Sequence, residues 1–176
     1  MPTSNRSSEL RMPTKVVPAR LALAGGEPFA AELFIADVRR RGRSHLLDDI
    51  TAYLGGEATF FPMRWAGQVR LLSKHAIVWV AIRRRDPDEM PSRDFNDEPS
   101  ELTLYDREHR VEVQLAHGPA LVGVLLDSSP ADRPRVMDHL NRAGRFLRLW
   151  TSEEHFLIHA AHVVAVTELG ELGAEG

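Results

Sequence analysis

One order of predicted elements occurs twice along this chain of 176 residues. Positions 16–82 have the patterning of two strands, a helix and three strands, and positions 110–169 have it again. Internal repetition constrains the architecture more than any motif, because each copy must form one structural unit. We expect a mainly β, β-rich α+β fold of two tandem small bent-sheet or barrel-like repeats, each with about five strands and one short helix between strands 2 and 3.

Three blocks align between the copies with constant internal spacing. They are, in order, Pro28 and 30–35 opposite Pro119 and 121–126, Arg43 and Asp48 opposite Arg133 and Asp138, and 71–80 opposite 157–166. Glycine precedes the second strand of each copy, at Gly25, Gly26 and Gly118, where a turn needs backbone freedom. Each copy therefore predicts a hairpin, a helix and a final set of strands.

Charge and proline divide the chain. We expect flexible tails at 1–15 and 170–176, a first copy at 16–85, an acidic Pro-containing linker at 86–109 and a second copy at 110–169. The first copy has 11 basic and 6 acidic residues, a net charge of +5, whereas the linker has 2 basic and 9 acidic residues, a net charge of −7. The overall charge of −3 hides this contrast.

Hydrophobic patterning predicts which faces are buried. Val111, Val113 and Leu115 alternate with polar residues, so one face of that strand should be covered. The last strands of the copies, 76–82 and 163–166, are almost continuously apolar, which predicts central strands covered on both faces. The predicted helix stripes are Leu46, Leu47, Ile50 and Leu54 in the first copy, and Val136, Met137 and Leu140 in the second.

Composition excludes several function classes. The chain has no cysteine, so disulfides, thiolate zinc sites and cysteine nucleophiles are excluded. No apolar run reaches the roughly 18 residues of a membrane span, and the N-terminus lacks the apolar stretch of a secretory signal. We expect a cytoplasmic protein of bacterial composition with no membrane partner and no cofactor.

The predicted copies resemble small β-barrels of the Sm-like and SH3-like kind. The resemblance is architectural, spans both copies and rests on no family motif, and in Sm-like proteins the helix precedes the strands. It implies a small, strongly bent sheet that is closed or partly closed. It also implies nucleic-acid binding as an alternative function.

Arginines form the best candidate interaction patch. Its members are Arg39, Arg40, Arg41, Arg43, Arg83, Arg84 and Arg85. Clustered guanidinium groups bind phosphates or carboxylates, but a solvated loop at a linker boundary has the same composition. The acidic linker offers a further reading, in which it folds back and masks the patch.

Other polar groups favour structural roles. The recurring pairs Arg43 with Asp48 and Arg133 with Asp138 are expected to be local ion pairs, although the two aspartates could also face each other as an acid and base. His155, His159 and His162 lie on predicted strands with apolar neighbours, which favours packing over metal binding. No serine, histidine and acid form a legible triad. We predict no catalytic or metal-binding residue.

These observations favour a non-enzymatic protein-interaction or regulatory module. The partner is expected to be another protein, through an acidic surface or an added β-strand, and a homo-oligomer is compatible with the same edges. The alternatives are a nucleic-acid-binding module that uses the arginines of the first copy, and a barrel that binds a small ligand.

Overall fold

Two halves make up the described part of the computed structural model, which comprises residues 14–36, 46–84, 107–127 and 136–169. The first half contains β1 (Thr14–Leu23), β2 (Phe29–Ala36), α1 (Leu46–Gly55), β3 (Phe60–Trp65), β4 (Gln68–Ser73) and β5 (Ile77–Arg83). The second half contains β6 (Arg107–Leu115), β7 (Leu121–Asp127), α2 (Val136–Arg142), β8 (Phe146–Trp150), β9 (Glu154–His159) and β10 (Val163–Glu168). Short 3-10 turns, Lys74–Ala76 and Ala160–His162, precede β5 and β10.

All of these strands belong to one antiparallel sheet, in the order β10-β6-β7-β8-β9-β5-β1-β2-β3-β4. In the first half β1 pairs with β2 and β5, in the second half β6 pairs with β7 and β10, and β5 pairs with β9 to join the halves. The predicted mainly β class is confirmed.

The resemblance implied a sheet that is closed or partly closed, whereas the described residues form one open sheet that ends at β4 and β10. The physical reason lies in β5. Its two edges are occupied by β1 and β9, so no edge of β5 remains for a strand that would close the first half.

Two hydrophobic cores lie on opposite faces of the sheet where the halves join. Core 1 is built on the first half but includes Phe146 and Leu157, and core 2 is built on the second half but includes Val78, Trp79 and Ala81. Neighbouring residues on a strand point to opposite faces. Strands β5 and β9 can therefore contribute to both cores, and each half completes the core of the other.

Burial confirms the prediction for β5 and overturns it for β10. Residues 77–82 of β5 are all buried, as expected of a central strand. In β10 no residue is buried, and Val164 is 62% exposed. The two runs are similarly apolar, but β5 has a strand on either side whereas β10 pairs only with β6.

The alternation predicted for β6 is confirmed: Val111, Val113 and Leu115 are buried and the residues between them are exposed. In α1, Ile50 and Leu54 are fully buried in core 1.

In α2 only part of the predicted stripe is correct. Val136 is buried and Leu140 packs on core 2, whereas Met137 is 58% exposed. Positions 136 and 140 are one turn apart and share a face, which leaves Met137 beside it. Neither helix in the described ranges is long and apolar enough to cross a membrane.

A close approach of β7 to β8 requires glycine at position 123. A Cβ there would lie 2.5 Å from the Trp150 carbonyl oxygen and 2.8 Å from Leu149 Cγ. Strand β8 is held in turn by β9, so the clash cannot be relieved by moving one side chain.

We predict that Gly123→Ala destabilises the protein by about 1–3 kcal/mol, the usual cost of overpacking. Gly55→Ala is the matched control, because a Cβ at Gly55 meets nothing within 4 Å. Urea denaturation of the two variants measures the difference. Equal stability of both variants would contradict the close approach.

Candidate functional site

The open edges of the sheet carry apolar side chains that the described part of the chain leaves uncovered. On β4, Leu71 is 73% and Val69 is 62% exposed, and Phe60 on the adjoining β3 is 59% exposed. On β10, Val164 is exposed to the same degree as Val69. An uncovered edge with apolar residues is a template for pairing with another strand, and proteins usually protect such edges.

A tight turn fixes the position of the β4 edge. Ala66 and Gly67, which connect β3 to β4, have φ values of 49° and 76°. Two consecutive positive φ values are typical of the two-residue hairpin turn whose twist matches that of the strands. Trp65, just before this turn, stacks on Phe29 with ring centroids 4.1 Å apart, and the Arg70 guanidinium lies 4.6 Å from the Trp65 ring centroid.

Lys74 anchors the other end of β4. Its side chain is buried, and Nζ donates hydrogen bonds to the carbonyl oxygens of Tyr53 at 2.8 Å and Gly56 at 3.0 Å. These carbonyls lie at and just beyond the end of α1, where helical oxygens lack partners within the helix. Burial, and secondarily the charge of Arg145, lower the pKa of Lys74. Sequence reasoning missed this residue, although it is one of only two lysines in the chain.

The pairing of β5 with β9, which we call the seam, shows how two edges of this fold meet. Val80 lies opposite Leu157 and Ala81 opposite Phe156. Beside the seam, Arg20 Nη1 of β1 donates to Glu154 Oε2 of β9 at 2.7 Å. The seam is therefore a ladder with an apolar centre and an ion pair at one end.

The predicted arginine patch lies mostly outside the described residues. Only Arg83 and Arg84 are described; Arg39, Arg40, Arg41, Arg43 and Arg85 are not. Arg83 is exposed at the end of β5. Arg84 is partly buried, and its Nη1 donates to the carbonyl oxygen of Thr151 at 3.0 Å. The two adjacent arginines therefore have different environments, and the patch as a whole stays a prediction.

The recurring acid–arginine pairs are also only partly described. Asp138 lies in the first turn of α2, partly buried, and its backbone carbonyl accepts a hydrogen bond from Arg142 Nε at 3.1 Å. Arg43, Arg133 and the side chain of Asp48 lie outside the described residues. The proposed ion pairs, and the alternative acid–base pair of aspartates, stay predictions.

Histidines gather at the 3-10 turns beside the seam. Ring centroids are 6.3 Å apart for His75 and His159, and 5.5 Å apart for His159 and His162. His159 is buried, and its Nδ1 accepts a hydrogen bond from the backbone N–H of Ala161 at 3.2 Å. No group of three or more histidine or acidic side chains among the described residues is arranged to hold a metal ion.

His155 lies closer to the seam, in contact with Trp150, with ring centroids 3.9 Å apart. Burial, and secondarily the positive charge of Arg84, lower the pKa of His155 to about 4. Burial also lowers the pKa of His159, reinforced by the neighbouring charges of His162, Arg145 and His75. The His155 ring is therefore neutral in the folded protein near pH 6.

Comparisons with known proteins found no match to this chain among protein-family models, curated proteins or solved structures. Function is therefore inferred from the chain's own geometry. The features available for that inference are two open edges with exposed apolar side chains and an internal seam that pairs two such edges.

Acid should weaken the fold through His155 and His159. An unfolded histidine takes up a proton near pH 6.5, whereas folded His155 does so only near pH 4. Stability from the neutral ring is therefore complete above pH 6.5 and is lost as the pH falls towards 4. We predict that the melting temperature falls between pH 6.5 and 4.5 and that His155→Leu reduces this slope. Equal slopes for the variant and the wild type would contradict the lowered pKa.

Proposed function

We propose that this chain is a non-enzymatic protein-interaction module that self-associates, and that β10 of one copy pairs with β4 of the next. The observation that carries the proposal is the seam, where β5 and β9 already pair in this way within one chain. Strands β4 and β10 are the counterparts of β9 and β5, and each lacks a strand on its outer side within the described residues.

Equivalent positions support the inference that the two halves are tandem repeats. Elements β8, β9 and β10 each begin 86 residues after β3, β4 and β5. The pairing of β1 with β5 shifts register near its end, and so does the pairing of β6 with β10. A loop hydrogen bond recurs as well: Lys74 N–H donates to the Thr59 carbonyl at 2.9 Å, and Ala160 N–H donates to the Arg145 carbonyl at 2.9 Å.

Burial differs sharply between counterparts on β3–β4 and β8–β9. Phe146 and Leu157 are 5% and 0% exposed because they cross the seam into core 1. Their counterparts are Phe60 and Leu71, which are largely exposed at the β4 edge. The same residue types at equivalent positions are thus buried where the other half pairs with the edge, and uncovered at the β4 edge, where the described residues include no further strand. A second copy placed by the seam geometry would bury Phe60 and Leu71 against its core 2.

Counterparts on β5 and β10 show the same contrast. Val78 is fully buried in core 2, across the seam from its own half, and its counterpart Val164 is exposed. Likewise Trp79 is buried, and its counterpart Ala165 is exposed. The β10 edge is therefore a smaller apolar surface than β5, which favours a weaker contact between chains than the seam within one chain.

The seam also fixes the register of the contact. In the seam, Val80 pairs with Leu157 and Ala81 pairs with Phe156. If each residue is replaced by its counterpart 86 positions away, Val166 of one copy lies opposite Leu71 of the next, and Thr167 opposite Arg70. The charges on that row are complementary. Glu112 lies opposite Thr167 within one chain, so Glu112 and Arg70 of the next copy would be two strands apart, about 10 Å between Cα atoms on one face. Glutamate and arginine side chains span that distance.

A contact that joins two different edges is heterologous, so successive copies form a closed ring or an open filament. Assembly should depend on concentration. We predict that the mass in solution, measured by light scattering, rises from 19.8 kDa to whole multiples of this value. Leu71→Lys should shift the protein back towards the single chain, because it places an unpaired charge in the contact.

Val16→Lys is the matched control, since Val16 is 46% exposed but lies on β1, an inner strand that pairs with β2 and β5. It should leave the mass unchanged. A wild-type protein that stays at 19.8 kDa at every concentration measured would contradict self-association. So would an assembly that survives Leu71→Lys unchanged.

Cysteine cross-linking tests the register, since the chain has no cysteine of its own. Directly opposed residues have Cα atoms about 4.5–5.5 Å apart, within the range of a disulfide. We predict that Arg70→Cys and Thr167→Cys proteins form a disulfide-linked dimer when mixed and oxidised, while neither does so alone. A dimer formed by either variant alone would instead mean that like edges pair.

A further inference from the structure

A pocket of about 320 Å³ lies at the end of the seam and is lined by residues of β6, β7 and β8 as well as by the residue that follows β5. Two arginines line it: Arg84, just after β5, and Arg110 of β6. The rest of its wall is largely apolar and includes Val122, Val124 and Trp150. Pockets of this size with apolar walls and a few polar groups are typical of sites for small ligands.

The guanidinium of Arg84 is only partly used by the protein. Its backbone N–H donates to the Glu153 carbonyl at 2.8 Å, and Nη1 donates to the Thr151 carbonyl at 3.0 Å. Nε and Nη2 are buried and have no hydrogen-bond partner. Buried donors of a charged group are costly to leave unpaired, so such atoms call for an explanation. Nε and Nη2 form one side of the guanidinium fork, the geometry that binds a carboxylate with two hydrogen bonds once the side chain turns these buried atoms toward the pocket that Arg84 lines.

Arg84 forms no ion pair with a described residue. Glu154, on the neighbouring strand, is paired with Arg20 at 2.7 Å. His155 is close enough to Arg84 for its pKa to be lowered by that charge in addition to burial, and its Nδ1 is also buried without a partner. Another cationic side chain, Arg110, lines the same pocket. An anion there would bind where the protein provides donors and positive charge.

The corresponding place in the first half contains its own carboxylate. Glu32 of β2 lies opposite Arg64 of β3, and their side chains form an ion pair at 2.7 Å. Strand pairing makes Val124 the counterpart of Glu32, one residue later than the alignment of 30–35 with 121–126 predicted. The equivalent pair in the second half is therefore Val124 opposite Trp150, and both residues line the pocket. The second half therefore has apolar walls and unpaired guanidinium donors where the first half has an internal ion pair.

We infer that this pocket binds a small organic acid, whose carboxylate draws the Arg84 side chain toward the pocket and is held side-on by its Nε and Nη2, while the apolar body lies against Val122, Val124 and Trp150. Arg110 adds a second positive charge at the rim. This inference stands apart from self-association, because it involves neither β4 nor β10.

Benzoate is a suitable first probe, with acetate and 4-methylpentanoate to vary the apolar body and benzamide as the uncharged analogue. Calorimetric titration of the full chain should show saturable binding of benzoate that is at least tenfold tighter than that of benzamide. Arg84→Gln should weaken benzoate binding at least tenfold, because it removes the charged donors. Arg83→Gln is the matched control: Arg83 is the exposed neighbour of Arg84, and its replacement should leave binding unchanged.

A second variant tests the pocket without touching Arg84. Val124→Glu places a carboxylate where the first half has Glu32, so it should compete with benzoate and weaken binding at least tenfold. Thermal melting without ligand checks that each variant is folded. Without ligand, replacement of Arg84 should lower the melting temperature only slightly. The side chain loses its one hydrogen bond to Thr151, and its Nε and Nη2 donors have no partner to lose.

Proton NMR of the His155 ring gives an independent readout. A bound carboxylate near Arg84 should raise the pKa of His155 from about 4 in the wild type, because a negative charge favours the protonated ring. The same addition should have no effect in Arg84→Gln. The inference is overturned if none of the three carboxylates binds more tightly than benzamide, or if Arg84→Gln binds them as well as Arg83→Gln does.

Discussion

The pairing of β5 with β9 is the interaction on which the rest of this molecule depends. It places two half-sheets side by side and lets each complete the core of the other, since Phe146 and Leu157 enter core 1 while Val78 and Trp79 enter core 2. A unit of roughly 60 residues buries only about 60% of its unfolded surface and is marginal alone. Breaking the seam would expose apolar side chains from both cores at once, so the halves should unfold as one cooperative unit.

The same pairing explains why the ends of the sheet are unusual. The seam uses β5 from the first half and β9 from the second half. The edges that remain are β4 in the first half and β10 in the second half, which are the counterparts of β9 and β5. Their side chains retain the character of the seam: Leu71 and Phe60 occupy the positions of Leu157 and Phe146, and Val164 that of Val78. The halves differ where Ala165 lies at the position equivalent to Trp79, and at the Arg84 pocket, where Val124 and Trp150 lie at the positions equivalent to Glu32 and Arg64.

Much of the secondary structure was predictable from the sequence, because strand alternation and apolar helix stripes are local signals. The buried face of β6 and the full burial of β5 followed from them. The position of β10 did not, since Val163–Val166 is as apolar as a central strand but has a described strand on one side alone. The open sheet did not follow either, because the pairing of β5 with β9 is a long-range contact with no local signature. Lys74 and Arg84 gained importance only from the burial of their side chains, which no sequence pattern reports.

Amide hydrogen exchange of the edge strands as a function of protein concentration tests head-to-tail pairing most directly. At low concentration, the outward N–H groups of β4 and β10 should exchange rapidly while those at the seam of β5 and β9 stay protected. At high concentration, β4 and β10 should become protected together, because each would form its ladder with the other strand of a neighbouring copy. Exchange of β4 and β10 that is rapid and independent of concentration, with the seam protected throughout, would contradict the assembly proposed here.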